Sequence, residues 1–562
     1  AALAAAALAA AVVEASPAAA ATATGNRHVI VRSADGNTAA VRALVRHAGG
    51  HVDRTLGLIH AVAATVPAAA LPALRADREV ADVTADRRVH LAGARMSTLA
   101  GDAGYVPSGD DDSMYRLENI IGARTAWKAG YTGRGVDIAL VDSGVAQVPG
   151  ILGNNLVQGP DLTDESQDPT TAGADTFGHG THLAGIIAGH DAGVTNMAGA
   201  WNDTSDFLGV APDARIVSVK VADSHGVTDV SQVVAGIDWV VQHAHDPGMN
   251  IRVMNLSFGT DSAQAYTVDP LAYAAEQAWQ HGIVVVTSAG NSGTDDGRLS
   301  DPATDPFVIA VGADDPNGTT STSDDSVPSF SSVGDGTRNP DLVAPGVHVQ
   351  SLRAPGSYID QTFAGTGAIN SRFFRGSGTS QAAAVVTGAA ALIVQQLPDL
   401  TPDQIKYLLV SNAVSVPALG EAVQGAGLVR IKTNYGTVPA ATQGYAPSTG
   451  TGKLELSRGT DHVAITDATG RTTDLTGEQD IFGHSVNTGA LAGAEADANA
   501  WNGGTFNGNV WTGSGWTSSS WASSSWKSSS WRSSSWASSS WASSTWKCGD
   551  WSSSSWAASY WH

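Results

Sequence analysis

Between about Tyr115 and Tyr435 short, near-continuously apolar runs alternate with longer stretches of helical period. V-D-I-A-L-V, A-R-I-V-S-V-K-V, I-R-V-M-N-L-S, G-I-V-V-V-T-S and P-F-V-I-A-V-G show little polar alternation, the pattern of strands buried on both faces. Val230–His243, Pro270–His281 and Gln381–Gln396 read as helices between and after them. Strand–helix alternation predicts an α/β fold, a parallel β-sheet flanked by helices on both faces. Ligands of such sheets bind at the carboxyl ends of the strands. Asp142 and Asn291 lie just past two such ends.

The preceding stretch, 27–92, has a different rhythm. H-V-I-V-R reads as a strand, and Thr38–His47 as a helix with Val41, Leu44 and Val45 on one face. Strand-like runs follow at Gly50–Leu56 and Leu58–Val66, then a helical Ala68–Ala76 and a last strand within Val80–Leu91. This predicts a small α+β domain, joined by a Gly-, Ser- and Asp-rich linker over 93–114. Residues 115–435 form the main domain. Residues 436–500 read as a short polar extension, in which K-L-E-L-S-R and D-H-V-A-I-T predict a hairpin. From 501 to 562 the chain is a Trp/Ser tail with Trp every five residues from Trp511 to Trp561. A five-residue step keeps one face in neither a strand nor a helix. The tail is then either a Ser-rich chain with spaced aromatic stickers or a turn-based coil.

Composition narrows the classes. A net charge of -22 over 562 residues argues against nucleic acid as a partner. Residues 1–25 open on A-A-L-A-A-A-A-L-A-A-A-V-V and continue with small residues, which resembles a secretory signal. No later apolar run predicts a membrane span. The single Cys, Cys548, excludes an intrachain disulfide framework.

Three segments carry candidate chemistry, in the order Asp, His, Ser: V-D-I-A-L-V-D-S-G-V ending on Val145, F-G-H-G-T-H-L-A-G around His179, and G-S-G-T-S-Q-A-A-A around Ser380. A Ser hydroxyl becomes a nucleophile when a base takes its proton and a third group orients that base. Alone, Asp142 reads as a turn at a strand end, His179 as a core histidine and Ser380 as a helix N-cap. Asn291, in T-S-A-G-N-S-G, is either a loop residue or a donor to a developing oxyanion. His179 and His182 have no third ligand at zinc-like spacing.

In chain order and in these motifs the protein resembles a subtilisin-like serine protease (subtilase), over Tyr115–Tyr435. The resemblance implies a triad of Asp142, His179 and Ser380, with Asn291 and the Ser380 N–H as oxyanion donors. It implies that Ser257, Phe258 and Gly259, in L-S-F-G, pair with a substrate backbone. Ser288, Ala289 and Gly290 then form the facing wall of a side-chain pocket. Asp301, if it reaches that pocket, favours basic side chains. The implied function is a secreted endopeptidase acting on proteins or peptides, extracellular or surface-associated. Residues 27–92 act as its own inhibitory pro-domain, and the junction falls near His90–Ala100. No cofactor is needed for the chemistry; structural calcium stays open, since no calcium site matches residue by residue. Two residues depart from the family's G-T-S-M-A-A-P: Gln381 and Ala384. A buried Gln381 needs hydrogen-bond partners. The Trp tail is expected to contact a cell wall or polysaccharide. The alternative from another class is a catalytically silent surface-binding protein working through that tail.

Overall fold

The computed structural model describes residues 26–56, 60–85, 106–151, 154–417, 419–440, 443–466 and 472–511. The signal-like segment, the expected junction near His90–Ala100, Cys548 and the repeats beyond Trp511 lie outside the described residues. The chain divides into two compact units, Ala1–Ser97 and Thr98–His562.

In the first unit, β1 (Asn26–Ser33), α1 (Thr38–His47), β2 (His51–Leu56), β3 (Ala61–Pro67), α2 (Leu71–Ala76) and β4 (Val80–Ala85) follow in order. The four strands form an antiparallel sheet of order β2-β3-β1-β4. Asn37 caps α1 by accepting the Ala40 N–H, which meets one of the N–H groups a helix start leaves unpaired. Val41 and Val45 on α1 pack with Val29, Val31, Val62 and Val66 of the sheet, and Leu44 lies at the edge of that cluster. The expected α+β unit is present.

The second unit begins with α3 (Met114–Ile121) and α4 (Ala123–Lys128). Then come β5 (Asp137–Asp142), β6 (Leu156–Asp161), α5 (His179–Ala188), β7 (Arg215–Lys220), α6 (Val230–His243), β8 (Ile251–Leu256), α7 (Pro270–Gln280), β9 (Val284–Ser288), β10 (Ile309–Asp314) and β11 (Leu342–Pro345). The seven strands form one sheet of order β11-β10-β9-β8-β5-β7-β6, paired in parallel throughout. β5 and β9 are buried along their whole length, as two covered faces require. After β5 the chain crosses to β6 and β7 on one side, and from β8 onward it builds the other side. Such a switch opens a crevice at the carboxyl edge, where Asp142 ends β5.

β12 (Val349–Leu352), α8 (Tyr358–Gly367) and β13 (Phe373–Gly376) lead into α9 (Thr379–Gln396), followed by α10 (Pro402–Ser411) and α11 (Glu421–Gln424). Every residue of α9 from Thr379 to Val394 is buried, so this helix is covered on all sides, as a core helix is. It packs against α5, β8, β9 and β10. Among the described residues, no helix is long and apolar enough to cross a membrane.

The C-terminal stretch differs from the sequence expectation. L-E-L-S-R is a short helix, α12 (Leu454–Arg458), and β14 (Ala464–Thr466) pairs instead with β15 (Thr472–Asp474). The reason is tertiary: the fully buried Arg458 donates to Asp229 at the start of α6, from Nε at 2.7 Å and from Nη2 at 3.3 Å. α13 (Thr488–Ala496) and the short strands β16 (Trp501–Asn502), β17 (Thr505–Phe506) and β18 (Asn509–Val510) complete the unit. Trp501 Nε1 donates to the Ala235 carbonyl of α6 at 2.9 Å. Trp501, Phe506 and Trp511 join the main core. Phe506 thus stands five residues from each Trp, and the first two steps of the aromatic period are part of the folded domain.

Candidate active site

Asp142 is the last residue of β5 and is fully buried. The strand fixes its backbone, and the Ser143 N–H donates to its Oδ1 at 2.7 Å. His179 is the first residue of α5 and is also fully buried. The preceding Gly178 has φ 109°, a left-handed conformation that favours glycine. His179 Nδ1 lies 2.9 Å from both Asp142 oxygens. A carboxylate only accepts, so Nδ1 carries the proton and donates, which leaves Nε2 as the basic nitrogen.

Ser380 is the second residue of α9 rather than its N-cap; Gly378 holds the cap position. The Thr379 N–H and the Thr379 hydroxyl both donate to Asn291 Oδ1 at 2.9 Å. At the second helical position the Ser380 hydroxyl has no capping task. The Thr379 donors also fix the Asn291 amide: with Oδ1 occupied by two donors, Nδ2 is the free end beside the start of α9. The first-turn N–H of Ser380 has no intrahelical acceptor, and the positive end of the helix adds to it.

The segments expected to hold substrate converge on the same edge. Ser257 Oγ donates to the Ser380 carbonyl at 3.4 Å and accepts from Asn255 Nδ2 at 2.9 Å. Asn255 Oδ1 in turn accepts from Thr387 Oγ1 on α9. Phe258 is buried. Ser288 ends β9, and Ala289 and Gly290 follow it into the Asn291 loop. Ser300 lies between the two segments: a Cβ on Gly259 would meet its Cβ at 2.7 Å, and one on Gly290 its Oγ at 2.2 Å.

Asp301 does not supply a pocket charge. It is fully buried, its Oδ1 accepts from Thr304 Oγ1, and its backbone pairs with Thr260 in both directions. Burial, and then the neighbouring Asp269, hold its carboxyl well above the usual carboxylate range. Gln381 is fully buried, and among the described residues neither its Oε1 nor its Nε2 has a hydrogen-bond partner; the requirement read from the sequence is unmet there.

Sequence reasoning missed Asp175, Ser143 and Thr181, which hold the Asp142 and His179 segments together. Among the described residues, no group of three or more His, Cys, Asp and Glu side chains is placed to hold a metal ion.

A family model described as the Subtilase family matches residues 133–449. Serine protease AprX of Bacillus subtilis is 38% identical over 309 residues, which are 54% of this chain and 66% of that protein. About a third of that relative therefore lies outside the match. Subtilisin Savinase of Lederbergia lenta is 35% identical over 307 residues, 55% of this chain and 93% of that one. A cold-adapted subtilisin-like serine proteinase of known crystal structure is 30% identical, covers 54% of this chain and 90% of its own, and superposes with a TM-score of 0.40.

Proposed function

The chain belongs to the Subtilase family of serine peptidases, and on that premise we propose that it is a secreted endopeptidase whose triad is Asp142, His179 and Ser380. The observation that carries this reading is the coupling of Asp142 to His179 Nδ1 at 2.9 Å, with Asn291 aimed by Thr379 beside Ser380.

The steps follow from these atoms. His179 Nε2 takes the Ser380 Oγ proton as Oγ attacks the peptide carbonyl. The buried Asp142 carboxylate stabilises the imidazolium that forms. The carbonyl oxygen becomes an oxyanion, which accepts from Asn291 Nδ2 and the Ser380 N–H. His179 returns the proton to the leaving amine, and an acyl-enzyme remains on Ser380. Water, deprotonated by His179, then releases the acid. Ser257–Gly259 and Ser288–Gly290 flank the substrate, with Ser300 narrowing the space between them. With Asp301 buried and bonded to Thr304 and Thr260, no preference for basic side chains follows.

Residues 27–92 act as the pro-domain. A large parallel sheet is built from non-local contacts and folds slowly; a domain that binds the native state favours it, and its later removal leaves kinetic stability. The tail beyond Trp511 attaches the enzyme to a cell wall or polysaccharide through its flat aromatic faces. Because Trp501–Trp511 belong to the core, the deletion that tests attachment removes 512–562 only. Surface retention unchanged by that deletion refutes it. For the catalytic reading, hydrolysis of a protein substrate and processing of the precursor are compared between wild type and Ser380→Ala. Both are expected to be lost in the variant; clean self-processing of Ser380→Ala overturns the mechanism.

A further inference from the structure

Asp175 is buried, precedes His179 by four residues, and takes no direct part in the chemistry above. Its carboxylate accepts four hydrogen bonds. Oδ1 takes the Ser143 hydroxyl at 2.9 Å and the Gly178 N–H at 2.6 Å. Oδ2 takes the Thr181 N–H at 2.7 Å and the Thr181 hydroxyl at 2.6 Å. Two of these partners close further links. Thr181 Oγ1 accepts the Ala146 N–H at 2.9 Å, and Ser143 Oγ accepts the Gly180 N–H at 3.0 Å. Ser143 has one proton; Asp175 Oδ1 at 2.9 Å is nearer than Asp142 Oδ1 at 3.2 Å.

The result is a clamp between two pieces of backbone. One is the turn Ser143–Ala146 after β5, whose first neighbour is Asp142. The other is Gly178–Thr181, the first turn of α5, which carries His179. The α5 cap residue, Gly178, offers no side chain, and Asp175 and Ser143 take the N–H groups that a capping side chain and water would otherwise share. The two pieces touch closely: a Cβ on Gly180 would lie 2.1 Å from the Gly144 carbonyl oxygen and 3.1 Å from Asp142 Oδ1.

We propose that Asp175 is a positioning residue that fixes the distance and angle between Asp142 and His179 by clamping the β5 turn to the first turn of α5. The proposal rests on the triad assignment above. Burial raises the Asp175 carboxyl, while the Thr181 and Gly178 donors and the Lys220 charge oppose that rise. Four donors nonetheless demand a group that only accepts. Asn at this position turns an NH2 toward either the Ser143–Gly178 or the Thr181 donors, so half the clamp opens whichever way the amide lies.

The test compares wild type with Asp175→Asn, Ser143→Ala, Thr181→Val and the conservative Thr181→Ser. Rates are normalised to sites titrated by a serine-directed phosphonate. A misplacement of the base of up to about 1 Å predicts a kcat loss of roughly 10- to 100-fold in Asp175→Asn. Its KM should stay within about twofold, because uniform substrate binding is untouched. The acid limb of kcat/KM moves to lower pH, since a loosened Asp142 stabilises the imidazolium less. Ser143→Ala and Thr181→Val change no charge, so the same shift in them reports position rather than lost negative charge; Thr181→Ser stays near wild type. If Asp175→Asn does not fold, the two neutral variants decide. Normalised kcat and acid limb unchanged in the variants that fold overturn the proposal. A wild-type chain not titrated at Ser380 overturns the triad assignment first.

Discussion

Arg458→Met strips the one buried cation from the contact that fastens the C-terminal stretch to α6. In the folded chain both side chains of the Arg458–Asp229 pair are 0% exposed. Arg458 also donates to the carbonyls of Gly477 at 2.7 Å and Gln479 at 2.6 Å. The variant leaves the Asp229 carboxylate buried with the uncharged Ser231 and Gln232 donors of its own helix start and takes one donor from each of the Gly477 and Gln479 carbonyls. Stranding one charge of a buried pair costs about 3–5 kcal/mol, a large share of a typical margin of about 5–15 kcal/mol. Methionine fills similar space, so the loss reports the charge rather than a cavity. The assay is urea unfolding in a Ser380→Ala background, which suppresses self-digestion, with amide exchange to localise the loss to 454–511. Arg458→Met with Asp229→Asn removes both charges, and part of the stability should return. The acid side carries a second signature. Burial raises the Asp229 carboxyl, but the Arg458 charge, the Arg458 hydrogen bonds and the Ser231 donors together outweigh it and hold it below the usual range. Its stabilising contribution is therefore present above the ordinary carboxylate range and is lost as pH falls through the depressed value. A loss in Arg458→Met under about 1 kcal/mol, the scale of an exposed pair, refutes the view that 454–511 is an integral part of the domain.

Gln381→Met removes two unpartnered buried polar atoms, each of which costs about 1–3 kcal/mol. Its unfolding midpoint should rise, and a fall would show that the amide has a partner of its own. Asn291→Ala should lower kcat by about 10²–10³, a magnitude known from a subtilisin rather than obtained from this geometry; KM should change little, and a kcat within a few-fold of wild type would exclude Asn291 as the oxyanion donor. Asp238 of α6 and Glu495 of α13 face each other in the interior near Tyr273, Glu276 and Asp497, and burial first, then their mutual contact, hold Glu495 well above its ordinary range. A raised folded value means that the stability is full at low pH and is lost as pH rises toward that value. Glu495→Gln should therefore flatten the decline of thermal stability that sets in as pH rises above the ordinary carboxylate range, and an unchanged decline would exclude the pair as its source.

Much of the sheet was legible because its strands are buried on both faces and carry no polar alternation: V-D-I-A-L-V runs to Val141 in the sequence, and β5 ends one residue later, at Asp142. The N-terminal unit was legible from the period of Val41 and Val45. What was hidden depends on distant partners. Ser380 reads as a cap until the helix is seen to begin at Thr379, whose N–H donates to Asn291, 88 residues before it. L-E-L-S-R reads as a strand until Arg458 finds Asp229. Trp501 reads as the start of the tail until its indole meets Ala235 of α6. Asp301 reads as a charge because its sequence neighbours say nothing of its burial beside Asp269. The clamp on Asp175 lies in the pattern D-T-F-G-H-G-T, where a carboxylate four residues before the histidine and a threonine two after it are the only signal.

The most direct test of the account is to label the full chain with a serine-directed fluorophosphonate and to map the modified residue by mass spectrometry. The account predicts one modified peptide, carrying the adduct on Ser380, with labelling abolished in Ser380→Ala and strongly slowed in His179→Ala. An adduct on another serine, or peptide hydrolysis that persists in Ser380→Ala, contradicts it.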